Sequence, residues 1–174
     1  MSLFSKIFKK RKKNAVIPLI QHFSEIVENK STAVFSVLEP KIELTVSVSE
    51  CVKELNRVGL QYDQVSASYI TFPAKLFNGL DMIVGLHFRG AFVDYIEIFR
   101  PLEYRNSPNF DIKKSYAEIH DAVVSCYGNP QAQKPCYLSE YPSERWLGRN
   151  FVMDHSICDR FGLEEHLSFK FVKP

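Results

Sequence analysis

Apolar residues recur along this chain with two different periods, and the points where the period changes divide it into elements. From Asn14 onward Val16, Leu19, Ile20, Phe23, Ile26 and Val27 follow the spacing of one helical face, with Pro18 in the first turn. Ser31 to Leu38 and Lys41 to Val46 are β-branched and apolar, which predicts extended segments broken at Pro40. The next helix is predicted from Ser47, because Ser47-Val48-Ser49-Glu50 has the S-x-x-E spacing. In that pattern the hydroxyl and the carboxylate each satisfy a backbone N–H that the first helical turn leaves free. Val48, Cys51, Val52, Leu55 and Val58 form its apolar stripe, and Gly59 is suited to the left-handed residue that ends a helix.

The period then shortens to two. Strands are predicted at Val65 to Phe72, Asp81 to Arg89 and Ala91 to Arg100. In the second, Met82, Val84, Leu86 and Phe88 alternate with Ile83, Gly85 and His87, and the turn Arg89-Gly90-Ala91 leads into the third. Pro101 and the run Arg105-Asn106-Ser107-Pro108-Asn109 interrupt regular structure. Ser115-Tyr116-Ala117-Glu118 repeats the capping spacing. It opens a helix with Tyr116, Ile119, Val123 and Cys126 or Tyr127 on one face, stopped by Gly128-Asn129-Pro130. Further strands are predicted around Cys136 to Tyr141, Arg145 to Gly148, Asn150 to Arg160 and Glu165 to Val172, the last from the alternation of Leu167, Phe169 and Phe171.

This order predicts an α+β fold, an antiparallel sheet with helices packed on one face. Ser47 and Ser115 open units of similar layout 68 residues apart, which suggests a duplicated αβββ unit. At 174 residues, 45% hydrophobic and with 14 Phe and 8 Tyr, the chain has enough apolar surface for one core. No apolar run reaches the roughly 18 residues that span a bilayer, and no secretory signal is recognisable, so a cytoplasmic location is expected.

Charge divides the chain differently. Residues 1–13 carry Lys6, Lys9, Lys10, Arg11, Lys12 and Lys13 without an acid; the 16 basic and 20 acidic residues from Asn14 onward leave that part at net −4. The expected organisation is a basic amphipathic tail, 1–13, before a single α+β domain, 14–174. With Leu3, Phe4, Ile7 and Phe8 interleaved, the tail is either a solvated terminus or a weak contact with an anionic membrane surface.

The residues that carry chemistry form no catalytic or metal motif. Cys51, Cys126, Cys136 and Cys158 include no CxxC pair and are expected as free thiols. His155 and Cys158 lie three apart in a predicted strand and point to opposite faces, while His120 and Cys126 lie six apart on a helix and diverge. His87 is expected to be packed or partly exposed. No phosphate-binding loop, dinucleotide fingerprint, nucleophile elbow or deaminase pattern occurs. Arg89, Arg100, Arg105 and Arg145 stand near Asp94, Glu97 and Glu103, so they are expected to pair with these carboxylates, and no nucleic acid partner is expected. No catalytic residue, metal or cofactor is therefore assigned.

Acidic residues near aromatic ones suit a basic protein partner, since charge steers encounter and aromatic rings anchor it. Asp154, Asp159, Glu164 and Glu165, with Trp146 and Tyr141, are the candidate partner-binding residues. The run Ser115 to Pro130 through Tyr127-Gly128-Asn129-Pro130, the lone Trp146 and the alternating C-terminal strands resemble small α+β immunity proteins of bacterial toxin–immunity pairs, over roughly residues 41–172. That resemblance implies a non-enzymatic domain that binds and neutralises a cognate protein toxin, such as a nuclease. Two alternatives remain open: a peripheral membrane adaptor using the basic tail, and a small enzyme with dispersed catalytic residues.

Overall fold

The computed structural model describes residues 47–57, 59–77, 79–90, 92–133, 141–147, 151–159 and 162–171, together with the strand pairing of Val34–Phe35 (β1) and Ile42–Glu43 (β2). The predicted tail and the helix from Asn14 lie outside the described residues. The expected helix at Ser47 is present as α1 (Val48–Arg57). The Ser47 amide donates to Glu50 Oε2 at 2.8 Å and the Glu50 amide reaches back to Ser47 Oγ at 3.4 Å, the reciprocal pair that the spacing requires. Cys51 and Leu55 are its buried positions.

Four strands follow as a meander: β3 (Asp63–Ser66), β4 (Tyr69–Leu76), β5 (Leu80–Phe88) and β6 (Val93–Phe99). The single strand expected over 65–72 is thus a hairpin, because the chain reverses at Ala67 and Ser68, a turn with none of the usual Gly, Asn or Pro. A one-turn helix α2 (Leu102–Arg105) leads to α3 (Ile112–Tyr127). This helix starts earlier than expected. Asp111, not Ser115, is the N-cap, accepting from the Lys113 and Lys114 amides at 2.9 and 3.2 Å.

A second meander follows, of β7 (Ala132–Gln133), β8 (Ser143–Leu147), β9 (Phe151–Asp159) and β10 (Leu163–Phe171). The strand expected at 136–141 falls mostly outside the described residues. Among the described residues α1 and α3 are each followed by four strands, where the expected unit has three. The two meanders join in one antiparallel sheet ordered β3-β4-β5-β6-β10-β9-β8-β7, so the last strand of each half meets the other at the centre.

The mixed α+β fold is built on two continuous cross-strand rows. Ile70, Leu86, Ile96, Phe169, Met153 and Trp146 pair in register across six strands, and all are buried. The next row on that face runs Phe72, Val84, Ile98, Leu167 and then His155 and Glu144, so it begins apolar and ends polar. Cys51 and Leu55 of α1 and Ile119 and Val123 of α3 complete the same hydrophobic cluster. The opposite face carries Tyr69, His87 and Tyr95 beside Gly85, Glu97, Ser168 and Asp154.

Candidate functional site

Where the second row turns polar, α3 and the sheet enclose a hydrogen-bonded cluster. His155 is fully buried, and its Nε2 lies 2.9 Å from Glu165 Oε1; since an ionised carboxylate only accepts, Nε2 carries the hydrogen. The other carboxylate oxygen accepts from Ser115 Oγ at 2.6 Å, and Ser115 accepts in turn from Arg100 Nε at 3.3 Å. Arg100 is 5% exposed and also pairs with Glu118, which with Tyr104 under its guanidinium compensates the buried charge.

Around His155 the rings are layered. Tyr116 stacks on it with centroids 4.0 Å apart, and its hydroxyl donates to Glu144 Oε2 at 3.0 Å. His120 places Nδ1 2.7 Å from the same oxygen, yet the ring is turned so that an N–H there would not point along the contact, and no hydrogen bond forms. His155 Nδ1 has no hydrogen-bond partner among the described residues. Burial holds the His155 imidazole below its ordinary range, against the opposing pull of Glu165, and raises the Tyr116 hydroxyl with help from Glu144.

The cluster joins Ser, His and Glu, but not in the order that activates a nucleophile. Ser115 donates to a carboxylate rather than to the imidazole and is fully buried, so it is not presented to a substrate. Among the described residues no three of His, Cys, Asp and Glu are grouped to hold a metal ion. Cys51, Cys126 and Cys158 are free thiols, that of Cys51 pushed up to about 11 by burial; Cys136 lies outside the described residues.

One wall of this cluster also borders a cleft. β6 stops pairing with β10 at Ile98 opposite Leu167, Phe99 pairs only with Ile83 of β5, and the chain leaves the sheet through Arg100 and Pro101, while β10 continues to Leu163 alongside β9. The gap is a cleft of about 290 Å³. Leu163, Glu164, Glu165 and His166 form one wall, Arg105, Phe110 and Ile112 the other, and Phe99 and Arg100 close one end. Leu163, on the wall, is exposed; exposed Leu102 and Tyr104 share a helical turn with Arg105 but do not line the cleft.

The expected acidic and aromatic group is divided by this arrangement. Trp146 is buried, its Nε1 donating to the Gly128 carbonyl at 2.8 Å, and offers no surface to a partner, while the half-buried Glu165 turns its carboxylate to His155 and Ser115. Asp154 lies on the opposite face in a two-bond pair with Arg145 at 2.6 and 3.0 Å. Asp159 is exposed at the end of β9, Glu164 is exposed beside His166, and Tyr141 lies beneath the Lys113 ammonium at 5.9 Å. Only Glu164 and Glu165 of the six reach the cleft. Lys6, Lys9, Lys10, Arg11, Lys12 and Lys13 lie outside the described residues.

The arginine expectation held for Arg89, which pairs with Asp94; Arg100 and Arg145 pair with other carboxylates, Glu118 and Asp154, and Arg105 covers the Phe99 ring at 5.5 Å. His87 is partly exposed, as expected, and stacks on Tyr69 at 4.1 Å. No helix among the described residues is long and apolar enough to cross a membrane. No protein-family model, no curated protein and no solved structure matches this chain. Sequence reasoning missed the site because His155, Glu165, Ser115 and Arg100 converge from four separate elements, and no local spacing announces them.

Proposed function

We propose that this chain is a non-enzymatic protein-binding domain acting in the cytoplasm, and that its partner docks at the cleft between β6 and β10. The observation that carries the reading is exposed Leu163 on the wall of a concave, charged site that Phe110 and Ile112 also line, since apolar and aromatic anchors at a pocket are what protein interfaces concentrate. The net −4 from Asn14 onward supports a basic partner. Within that class we favour an immunity protein that neutralises a cognate bacterial toxin, on the strength of the resemblance through Ser115 to Pro130. The shared hydrophobic cluster of α1 and α3 supports both helices covering one face, and the two helix-plus-four-strand halves support duplication of an ancestral unit.

The test is affinity capture of a partner from the source cells, followed by calorimetric titration of the purified partner with wild type, Leu163→Asp and Glu164→Lys. The expected result is a stoichiometric complex whose growth inhibition the chain relieves, with at least tenfold weaker binding by Leu163→Asp. Equal binding by both variants would move the interface elsewhere. A chain that captures no protein and instead turns over a small substrate would refute the reading.

A further inference from the structure

Resting on that protein-binding reading, we infer that the cleft takes an extended segment of the partner as an added strand, paired to the free edge of β10 at Leu163–His166. A strand edge with no neighbour presents the N–H and C=O of alternate residues outward, a template that another chain completes. β10 is paired on both sides at Leu167–Lys170, but among the described residues Leu163–His166 have a strand only on the β9 side. No backbone hydrogen bond of these four residues to a turn or loop occurs among the described residues either.

The two outer edges of the sheet do not offer the same template. β3 carries an irregularity between Gln64 and Ser66 that bends its edge, and β7 is only two residues long; both are common ways of blunting an edge. The β10 gap is regular in register from Leu163 to Phe171 against β9. At about 3.3 Å per residue, its four free residues accept a segment roughly 13 Å long.

The lining also specifies the segment's side chains. On the outer face of the sheet the exposed Glu164 stands at the gap beside His166, while Glu97 is already engaged by the Tyr69 hydroxyl and His87, and both cleft arginines are engaged too, Arg100 by Glu118 and Arg105 by the Phe99 ring. On the α3 side the segment meets Phe110 and Ile112. The complementary sequence alternates basic and apolar residues, a basic one over Glu164 and the apolar ones toward Phe110 and Ile112.

The probe is a displayed library of random linear heptapeptides, selected on the full chain. The best binder is then compared with its counterpart N-methylated at alternate residues, reading amide hydrogen exchange across the protein. The expected result is enrichment of alternating basic and β-branched residues without proline, slowed exchange within Leu163–His166, and at least tenfold weaker binding of the N-methylated peptide. A selected peptide that slows exchange elsewhere, or binds equally when N-methylated, overturns strand addition but leaves protein binding at the rim intact. Failure to select any peptide also overturns it, the Leu163→Asp titration then judging the rim separately. Protection, in the free chain, of the alternate amides among these that point away from β9 would mean that the gap is filled already, by the chain's own residues if independent of concentration and by a second copy if not, and either result overturns the proposal.

Discussion

Replacing Gly85 by alanine isolates one structural decision on the open face of the sheet. A Cβ at this position would stand 2.6 Å from the Tyr69 hydroxyl oxygen, 2.8 Å from Cε2 and 3.1 Å from Cζ, so the ring must leave. The ring is not free to swing without loss. Its hydroxyl donates to Glu97 Oε2 at 3.0 Å, and its face stacks on His87 at 4.1 Å with the planes 24° apart. A hydrogen bond to a charged group contributes about 1.5–3 kcal/mol and an aromatic stack about 0.5–1.5; the lower ends apply here because Glu97 and His87 are partly exposed. Alanine in place of a strand glycine returns about 0.5–1 kcal/mol. The expected cost of Gly85→Ala is therefore about 1–2 kcal/mol, a drop in Tm of roughly 2–8 °C for a chain of this size. In a Tyr69→Ala background the same substitution should be neutral or stabilising. Denaturant unfolding of the four proteins of this cycle measures the coupling, and additive effects of the two substitutions would refute the account.

Two other expectations concern the helix that carries the cluster and the histidine beneath it. Asp111→Ala should cost about 1 kcal/mol, because the Lys113 and Lys114 amides lose their only cap, whereas Asp111→Asn should cost less; thermal unfolding at constant pH distinguishes them. Burial lowers the His155 pKa from 6.5, so below pH 6.5 the unfolded chain takes up a proton that the folded one does not, and stability falls as pH falls. The slope approaches about 1.4 kcal/mol per pH unit between the two pKa values, and His155→Asn should lose that component in unfolding curves taken from pH 7.5 to 5.5; an unchanged slope would show that other groups carry it.

The elements that could be read from sequence are those whose cause is local. Ser47 and Glu50 make their bonds within one turn of α1, and Gly59 ends it with φ +68°, so three residues within twelve positions state the whole helix. The alternation of Met82, Val84, Leu86 and Phe88 is likewise complete within one strand. At Ser115 the same local spacing misleads. Asp111, four residues earlier, already caps the helix, and the Ser115 hydroxyl is turned into the protein to donate to Glu165, fifty residues away. A hydroxyl that looks like a cap in sequence is a core hydrogen-bond donor in the fold, and nothing nearer than β10 distinguishes the two.

The same reasoning explains why the cleft had no sequence signature. It exists because two four-strand meanders meet at their last strands and are offset, so that the pairing of β6 with β10 stops at Ile98 opposite Leu167, four residues short of Leu163 where β10 starts. Each meander by itself is regular; the gap belongs to their register against each other, which Ile98 and Leu167 set by pairing within the buried row. Arg100 marks the departure point. Its side chain stays buried to hold Ser115 and Glu118 of α3, and Pro101 directly after it has no N–H to continue a ladder, so β6 is released from the sheet where α3 is tied to it. The polar cluster and the open edge are thus two consequences of one junction: the residues that fasten α3 to the sheet also end the strand that would otherwise have covered Leu163–His166.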